Sequence, residues 1–134
     1  MPDPAAFPAV FQKLRAILAR HAPPLVVSAD GDAGYTVDLA RADIPASRRF
    51  VGGVRSGKSY VSFHLMPIYL RPALLDGISP ELRKRMQGKS CFNFAAVDDQ
   101  LFDELAGLTG RAIDYYRRDG AALLASLSPP SKRR

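Results

Sequence analysis

The sequence has few of the residues that build disulfide-linked, metal-rich or membrane-bound proteins. One of its 134 residues is cysteine, so no disulfide can form within the chain. It has two histidines and no tryptophan, and a zinc site made of several histidines is therefore not expected. No apolar run approaches the roughly 20 residues that a membrane-spanning helix needs.

The opening residues also lack the basic start and apolar stretch of a signal peptide. Together with the single cysteine, this predicts a cytoplasmic protein without a membrane partner. The apolar fraction of 47% is sufficient for an ordinary packed core, and the length fits one domain. We expect a single α+β domain over residues 1–128 and a disordered basic tail over residues 129–134.

The chain is basic, with a formal net charge of +6. Its cationic residues concentrate in two short stretches, residues 83–89 and 132–134. Neither stretch is interleaved with aromatic residues, as a base-stacking surface would be. We therefore interpret them as a solvated face and a solubilising tail. A small anion or a protein is the expected partner, and nucleic acid is the less supported alternative.

The hydrophobic pattern predicts the order of elements in the first half of the chain. Apolar residues recur at helical spacing over residues 8–21, which predicts an amphipathic helix. Four short strand-like segments follow, two of which alternate between polar and apolar residues, and they are joined in pairs by turn-forming residues. This pattern predicts two hairpins, the first from residues 25–28 and 35–39, the second from residues 50–55 and 59–65.

The second half is delimited by residues that cap helices. A serine followed by a proline predicts a helix that begins at Ser79 and runs to about Gln87. Residues 91–97 predict a strand, after which Asp98 and Thr109 are each placed to cap a further helix. Two hairpins and a later strand favour an antiparallel sheet with helices packed on one face, which is an α+β fold.

Residues 52–59 fit the phosphate-loop pattern G-x-x-x-x-G-K-[S/T] letter for letter. In a phosphate loop, this segment connects a strand to a helix whose N-terminus completes the anion site. Here Ser59 opens a segment that alternates with period two and predicts a strand. We therefore expect a hairpin turn, with an unusual backbone angle at Gly57, in place of a nucleotide site.

Two longer motifs carry a resemblance to a known family. They are GKSYVSFHLMPIY at residues 57–69, and ISPEL at residues 78–82 followed by KRMQGKSCFNF at residues 84–94. Both are similar to motifs of the bacterial YdhG-like proteins, a large family of unknown function. The resemblance covers about residues 50–118 and implies a compact α+β fold with an antiparallel sheet.

Some YdhG-like proteins are described as frataxin-like intracellular iron chaperones, so the resemblance implies iron as a cofactor. Iron binding of the frataxin type resembles weak coordination by a ridge of carboxylates on the first helix and first strand. The helix predicted over residues 8–21 has no acidic residue and carries Lys13, Arg15 and Arg20 instead. Iron binding is therefore an alternative that rests on the resemblance alone.

The candidate site lies where the strands at residues 59–65 and 91–97 are expected to share a sheet. Their polar faces would then meet, with lysines at the ends, in a small concavity of anion-binding character. The candidate ligand-binding residues are Lys58, Tyr60, Ser62, His64, Lys89, Cys91 and Asn93. The alternative is that these residues cover a solvated sheet face.

We assign no catalytic or metal-binding residue from the sequence. The expected function is that of a small ligand-binding or interaction domain, which binds a small anion, a metal or a protein partner through this polar face. The alternatives are an iron-binding protein of the frataxin type and a small enzyme that uses His64 with Cys91.

Overall fold

The computed structural model describes residues 4–21, 25–40 and 49–120, with residues 4, 119 and 120 described by their backbone only. The tail predicted over residues 129–134 lies outside the described residues. None of the described helices is long and apolar enough to cross a membrane.

Five strands and four α-helices make up the described parts of the chain. The first half contains a 3-10 turn Pro4–Ala6, helix α1 Phe7–Ala19 and strands β1 Val26–Asp30, β2 Gly34–Asp38, β3 Phe50–Ser56 and β4 Val61–Leu65. The second half contains α2 Met66–Leu70, a 3-10 turn Pro72–Leu75, α3 Pro80–Arg83, β5 Cys91–Phe94, α4 Asp99–Tyr115 and a π-helical turn Tyr116–Gly120.

The strands form one sheet in the order β1-β2-β3-β4-β5, and every neighbouring pair is antiparallel. Each strand therefore lies beside its neighbour in sequence. This arrangement confirms the predicted α+β fold with two hairpins and a later strand.

One face of the sheet packs against α1 and α4 and forms the core. The apolar residues of α1 at helical spacing are all buried, as predicted. Helix α1 packs closely against β3 at Gly52. A Cβ atom added to Gly52 would lie only 3.1 Å from Leu18 Cδ2, so a larger residue there would push the helix away. The sheet contributes alternate buried residues to this core, including Tyr35, Val37, Val54, Phe63, Phe92 and Phe94.

Helix α3 is shorter than the sequence predicted, since it ends at Arg83 rather than near Gln87. The residues that follow leave the helix to pair with β5. The Asn93 backbone N–H donates to Arg85 O at 2.8 Å, and the Gln87 N–H donates to Cys91 O at 2.9 Å. Gly88, with a φ of 82°, then reverses the chain into β5.

Strand β5 is also shorter than predicted, because it ends at Phe94 rather than near residue 97. Its partner β4 begins at Val61, which lies opposite Phe94. Residues beyond Phe94 therefore have no β4 residue with which to pair.

Helix α4 is continuous where the sequence predicted two helices. Asp98 caps it as expected, since its Oδ1 accepts from the Leu101 N–H at 3.1 Å. Thr109 was predicted to cap a second helix, and this prediction is wrong. Its side chain is buried inside α4 and its hydroxyl donates to Leu105 O at 2.7 Å, so the hydroxyl is satisfied without a helix end.

Candidate ligand-binding face

The face of the sheet opposite α1 and α4, which we call the open face, carries the polar residues Thr36, Arg55, Ser62, His64, Cys91 and Asn93. The register places its residues in two cross-strand rows. The first row runs across β2, β3, β4 and β5 through Thr36, Gly53, His64 and Cys91. The second row runs across β3, β4 and β5 through Arg55, Ser62 and Asn93.

Asn93 is the centre of a hydrogen-bond network on the open face. Its Oδ1 accepts from the Ser62 hydroxyl at 2.9 Å and from the Cys91 thiol at 3.6 Å. Its Nδ2 donates to Gln87 Oε1 at 2.6 Å. These contacts hold the Asn93 amide in one orientation and tie β4, β5 and the segment before β5 together.

His64 lies at the middle of the open face and is half-buried. Its Nε2 is 3.0 Å from the hydroxyl of buried Ser90, and its ring lies 5.6 Å from the ring of Phe50. Burial lowers the pKa of His64 below its ordinary value of 6.5. The imidazole is therefore neutral at pH 7.

Cys91 is the cross-strand neighbour of His64 and is also half-buried. Burial raises the pKa of its thiol above the ordinary value of 9.0, against a smaller opposing effect of the Ser62 hydroxyl. The thiol is therefore protonated at pH 7. Neither member of the pair is charged under neutral conditions.

A groove of about 360 Å³ lies on the open face, and Gly53 forms part of its floor beneath Thr36 and Phe50. A Cβ atom added there would lie 2.9 Å from Thr36 Cγ2 and 3.4 Å from Phe50 Cε1. The wall of the groove includes the Phe50 ring and the side chains of Arg55, Ser62 and His64. It is a mixed apolar and polar surface open to solvent.

The phosphate-loop pattern forms the β3–β4 hairpin, as expected from its context, because residues 52–56 lie in β3. The unusual backbone angle predicted for Gly57 is not found, since Gly57 is not among the glycines of positive φ. The tightness of the turn restricts this position instead. The Gly57 N–H donates to Tyr60 O at 2.9 Å, and an added Cβ would lie 3.3 Å from that oxygen.

The two lysines and the tyrosine of the candidate set lie at the two ends of the open face. Lys58 and Tyr60 line a cavity of about 560 Å³ at the hairpin, together with Arg55. Lys89 lines a groove of about 320 Å³ at the other end, where its Nζ lies 5.9 Å from the centre of the Tyr69 ring. The remaining four candidates, Ser62, His64, Cys91 and Asn93, lie side by side between these ends.

Sequence reasoning missed Arg55, the cation nearest the centre of the open face. Period-two alternation along β3 places Arg55 on the face of Gly53, and this was the signal that could have identified it. Arg55 is exposed, and no carboxylate of the described residues forms an ion pair with it. Phe50 was missed as well, because a bulge in the β2–β3 pairing shifts its register.

The described residues contain no group of three or more His, Cys, Asp or Glu side chains placed to hold a metal ion. No protein-family model, curated protein or solved structure matches the chain. The resemblance to the YdhG-like family therefore stays a prediction from the two sequence motifs.

Proposed function

We propose that the open face binds a small organic anion and that the protein acts as a ligand-binding domain. The observation that carries the proposal is the Arg55 guanidinium. It is exposed at the groove, lies opposite Ser62 across β3 and β4, and has no carboxylate partner among the described residues. A planar guanidinium beside a hydroxyl is suited to a carboxylate or a phosphate.

The rest of the groove supports an organic ligand over a bare inorganic ion. The Phe50 ring provides an apolar contact surface beside His64. A volume of about 360 Å³ falls within the range of roughly 300–1,000 Å³ of small-molecule sites.

The contacts of His64 and Cys91 support binding over catalysis. The His64 ring nitrogen is paired with Ser90, and the Cys91 thiol with Asn93, so the two groups do not act on one another. A protonated thiol is a weak nucleophile, and a catalytic cysteine needs a lowered pKa. The enzyme alternative would require both contacts to rearrange.

Thermal denaturation in the presence of single ligands tests the proposal. The panel contains hexanoate, adipate, inorganic phosphate, magnesium–ATP, ferrous and ferric iron, zinc and a short DNA duplex. A ligand at one hundred times its dissociation constant stabilises the folded chain by about 2.7 kcal/mol. We expect carboxylates or phosphates to raise the melting temperature of the wild type.

A matched pair of variants locates the effect. Arg55→Gln is expected to abolish the shift, and Arg111→Gln is expected to retain it. Arg111 is an exposed arginine of α4, the helix packed on the other face of the sheet. A shift with iron alone would favour the frataxin-like alternative, and a panel without any shift would favour a protein-interaction domain. Either result would overturn the proposal.

A further inference from the structure

The groove on the open face has a cavity beside it at each end. Arg55 and Ser62 line both the central groove and the cavity at the β3–β4 hairpin. His64 and Cys91 line both the central groove and the groove beside Lys89. The three depressions therefore adjoin one another in a row along β4, from the hairpin to the segment that precedes β5, and we call this row the trough.

The cationic residues of the trough lie on either side of His64 and Cys91. Arg55 and Lys58 lie at the hairpin end, and Lys89 lies at the other end. Between them the walls are formed by Ser62, His64, Cys91 and the Phe50 ring. No aspartate or glutamate is among the described residues that line the trough.

The register sets the distance between the two cationic ends. Arg55 lies opposite Ser62, which is two residues from His64, and Lys89 is two residues before the His64 partner Cys91. Two residues of extended chain span roughly 6.5 Å, and adjacent strands are about 4.8 Å apart. The backbone positions of Arg55 and Lys89 are therefore separated by on the order of 10–15 Å.

From these three observations we infer that the ligand of the open face is a linear dianion with an uncharged middle. One anionic group contacts Arg55 and Lys58, the other contacts Lys89, and the neutral body lies along Phe50, Ser62 and His64. This inference rests on the proposed anion-binding function and specifies the class of anion. A compact monoanion would leave one of the two cationic ends without a partner.

The test compares dicarboxylates of increasing length with monocarboxylates of matched length by isothermal titration calorimetry. The probes are succinate, adipate, suberate and sebacate beside butyrate, hexanoate, octanoate and decanoate. We expect one of the longer dicarboxylates to bind about tenfold more tightly than its monocarboxylate, because the second anionic group adds a charge-assisted contact. Succinate is expected to show the smallest advantage, because its two carboxylates are the closest together.

Variants at the two ends separate this inference from the proposed function. Lys89→Gln is expected to reduce the affinity of the long dicarboxylate to that of the monocarboxylate and to leave the monocarboxylate unchanged. Arg55→Gln is expected to weaken the binding of both the long dicarboxylate and the monocarboxylate, and Arg111→Gln is expected to change neither affinity.

Equal affinities for the dicarboxylates and the monocarboxylates, both unaffected by Lys89→Gln, would refute the inference of a dianionic ligand and would leave the proposed anion site in place. Binding of neither series would refute the anion site itself. A single-stranded oligothymidylate that binds more tightly than any dicarboxylate, with a steep salt dependence, would overturn the inference in favour of a nucleic-acid surface.

Discussion

His64 and Cys91 lie directly opposite each other on β4 and β5, yet each forms its side-chain hydrogen bond with a different residue. His64 Nε2 is 3.0 Å from Ser90 Oγ, and Cys91 Sγ is 3.6 Å from Asn93 Oδ1. Burial keeps both groups uncharged at pH 7. The centre of the open face is thus a neutral polar surface, and its cationic groups stand at the edges.

The Cys91 thiol is predicted to react slowly with iodoacetamide at neutral pH. Burial raises the thiol pKa above 9.0, so only a small fraction is thiolate, which is the reactive form. We expect the rate to rise with pH and to reach half its maximum above pH 9. Urea-unfolded protein provides the control, and it should react faster than folded protein at pH 7. A rate that is already maximal near pH 7 would instead indicate an activated cysteine and favour the enzyme alternative.

His64 is predicted to make the folded chain less stable as the pH falls. Its folded pKa is below the unfolded value of 6.5, so the unfolded state binds more protons in the interval between them. Stability should fall as the pH decreases through 6.5 to the folded pKa, and this residue should add no further loss below that. We expect His64→Gln to show a shallower pH dependence of urea unfolding between about pH 7 and pH 5.

His21→Gln is the comparison for this pH experiment, because burial and the neighbouring arginines 20 and 117 also lower the pKa of His21. Each of the two variants should remove part of the pH dependence of the free energy of unfolding. An NMR titration that places the His64 pKa above 6.5 would refute this account of its environment.

Gly53→Ala is predicted to destabilise the sheet and to narrow the groove. The new Cβ would lie 2.9 Å from Thr36 Cγ2, closer than such contacts allow, and overpacking of this kind costs about 1–3 kcal/mol. The Thr36→Ser change removes that methyl group and keeps the hydroxyl, which lies 2.7 Å from Ser28 Oγ. We therefore expect the double variant to regain part of the lost stability in urea unfolding. Additive losses in the double variant would show that the methyl contact is not the cause.

Glu104→Ala is predicted to lower the free energy of unfolding by about 1–3 kcal/mol, because it removes two charge-assisted hydrogen bonds. The Glu104 carboxylate accepts from both the Ser79 N–H and the Ser79 hydroxyl at 2.6 Å, and that hydroxyl in turn accepts from the Leu82 N–H. The carboxylate thereby joins the start of α3 to α4. Asp103→Ala, at an exposed neighbouring acid, is the control and should change stability by less than about 0.5 kcal/mol. Equal effects of the two changes would contradict a specific role for Glu104.

The sequence was sufficient to predict the sheet because both hairpins have strong local signals. Alternation of polar and apolar residues indicated the strand faces, and turn-forming residues indicated the second hairpin, whose turn lies at residues 57–60. The α2 helix was not among the predicted elements. Pro67 lies in the first turn of α2, where its missing N–H leaves no hydrogen bond unmade.

The errors in the second half of the chain came from tertiary contacts. Residues 85–87 have helical propensity, but hydrogen bonds to β5 take them out of α3. The candidate site was predicted only in part, because the position of one of its residues also depends on tertiary contacts. Pairing of β4 with β5 follows from their polar faces, whereas the position of Arg55 depends on the register between β3 and β4.

The most direct test of anion binding by the open face is an NMR titration of the ¹⁵N-labelled chain with adipate. Amide shift changes are predicted to cluster at Arg55, Ser62, His64 and Cys91, to saturate, and to disappear in Arg55→Gln while Arg111→Gln retains them. Changes that map to α1 and α4, or no saturable change at any concentration, would contradict the account.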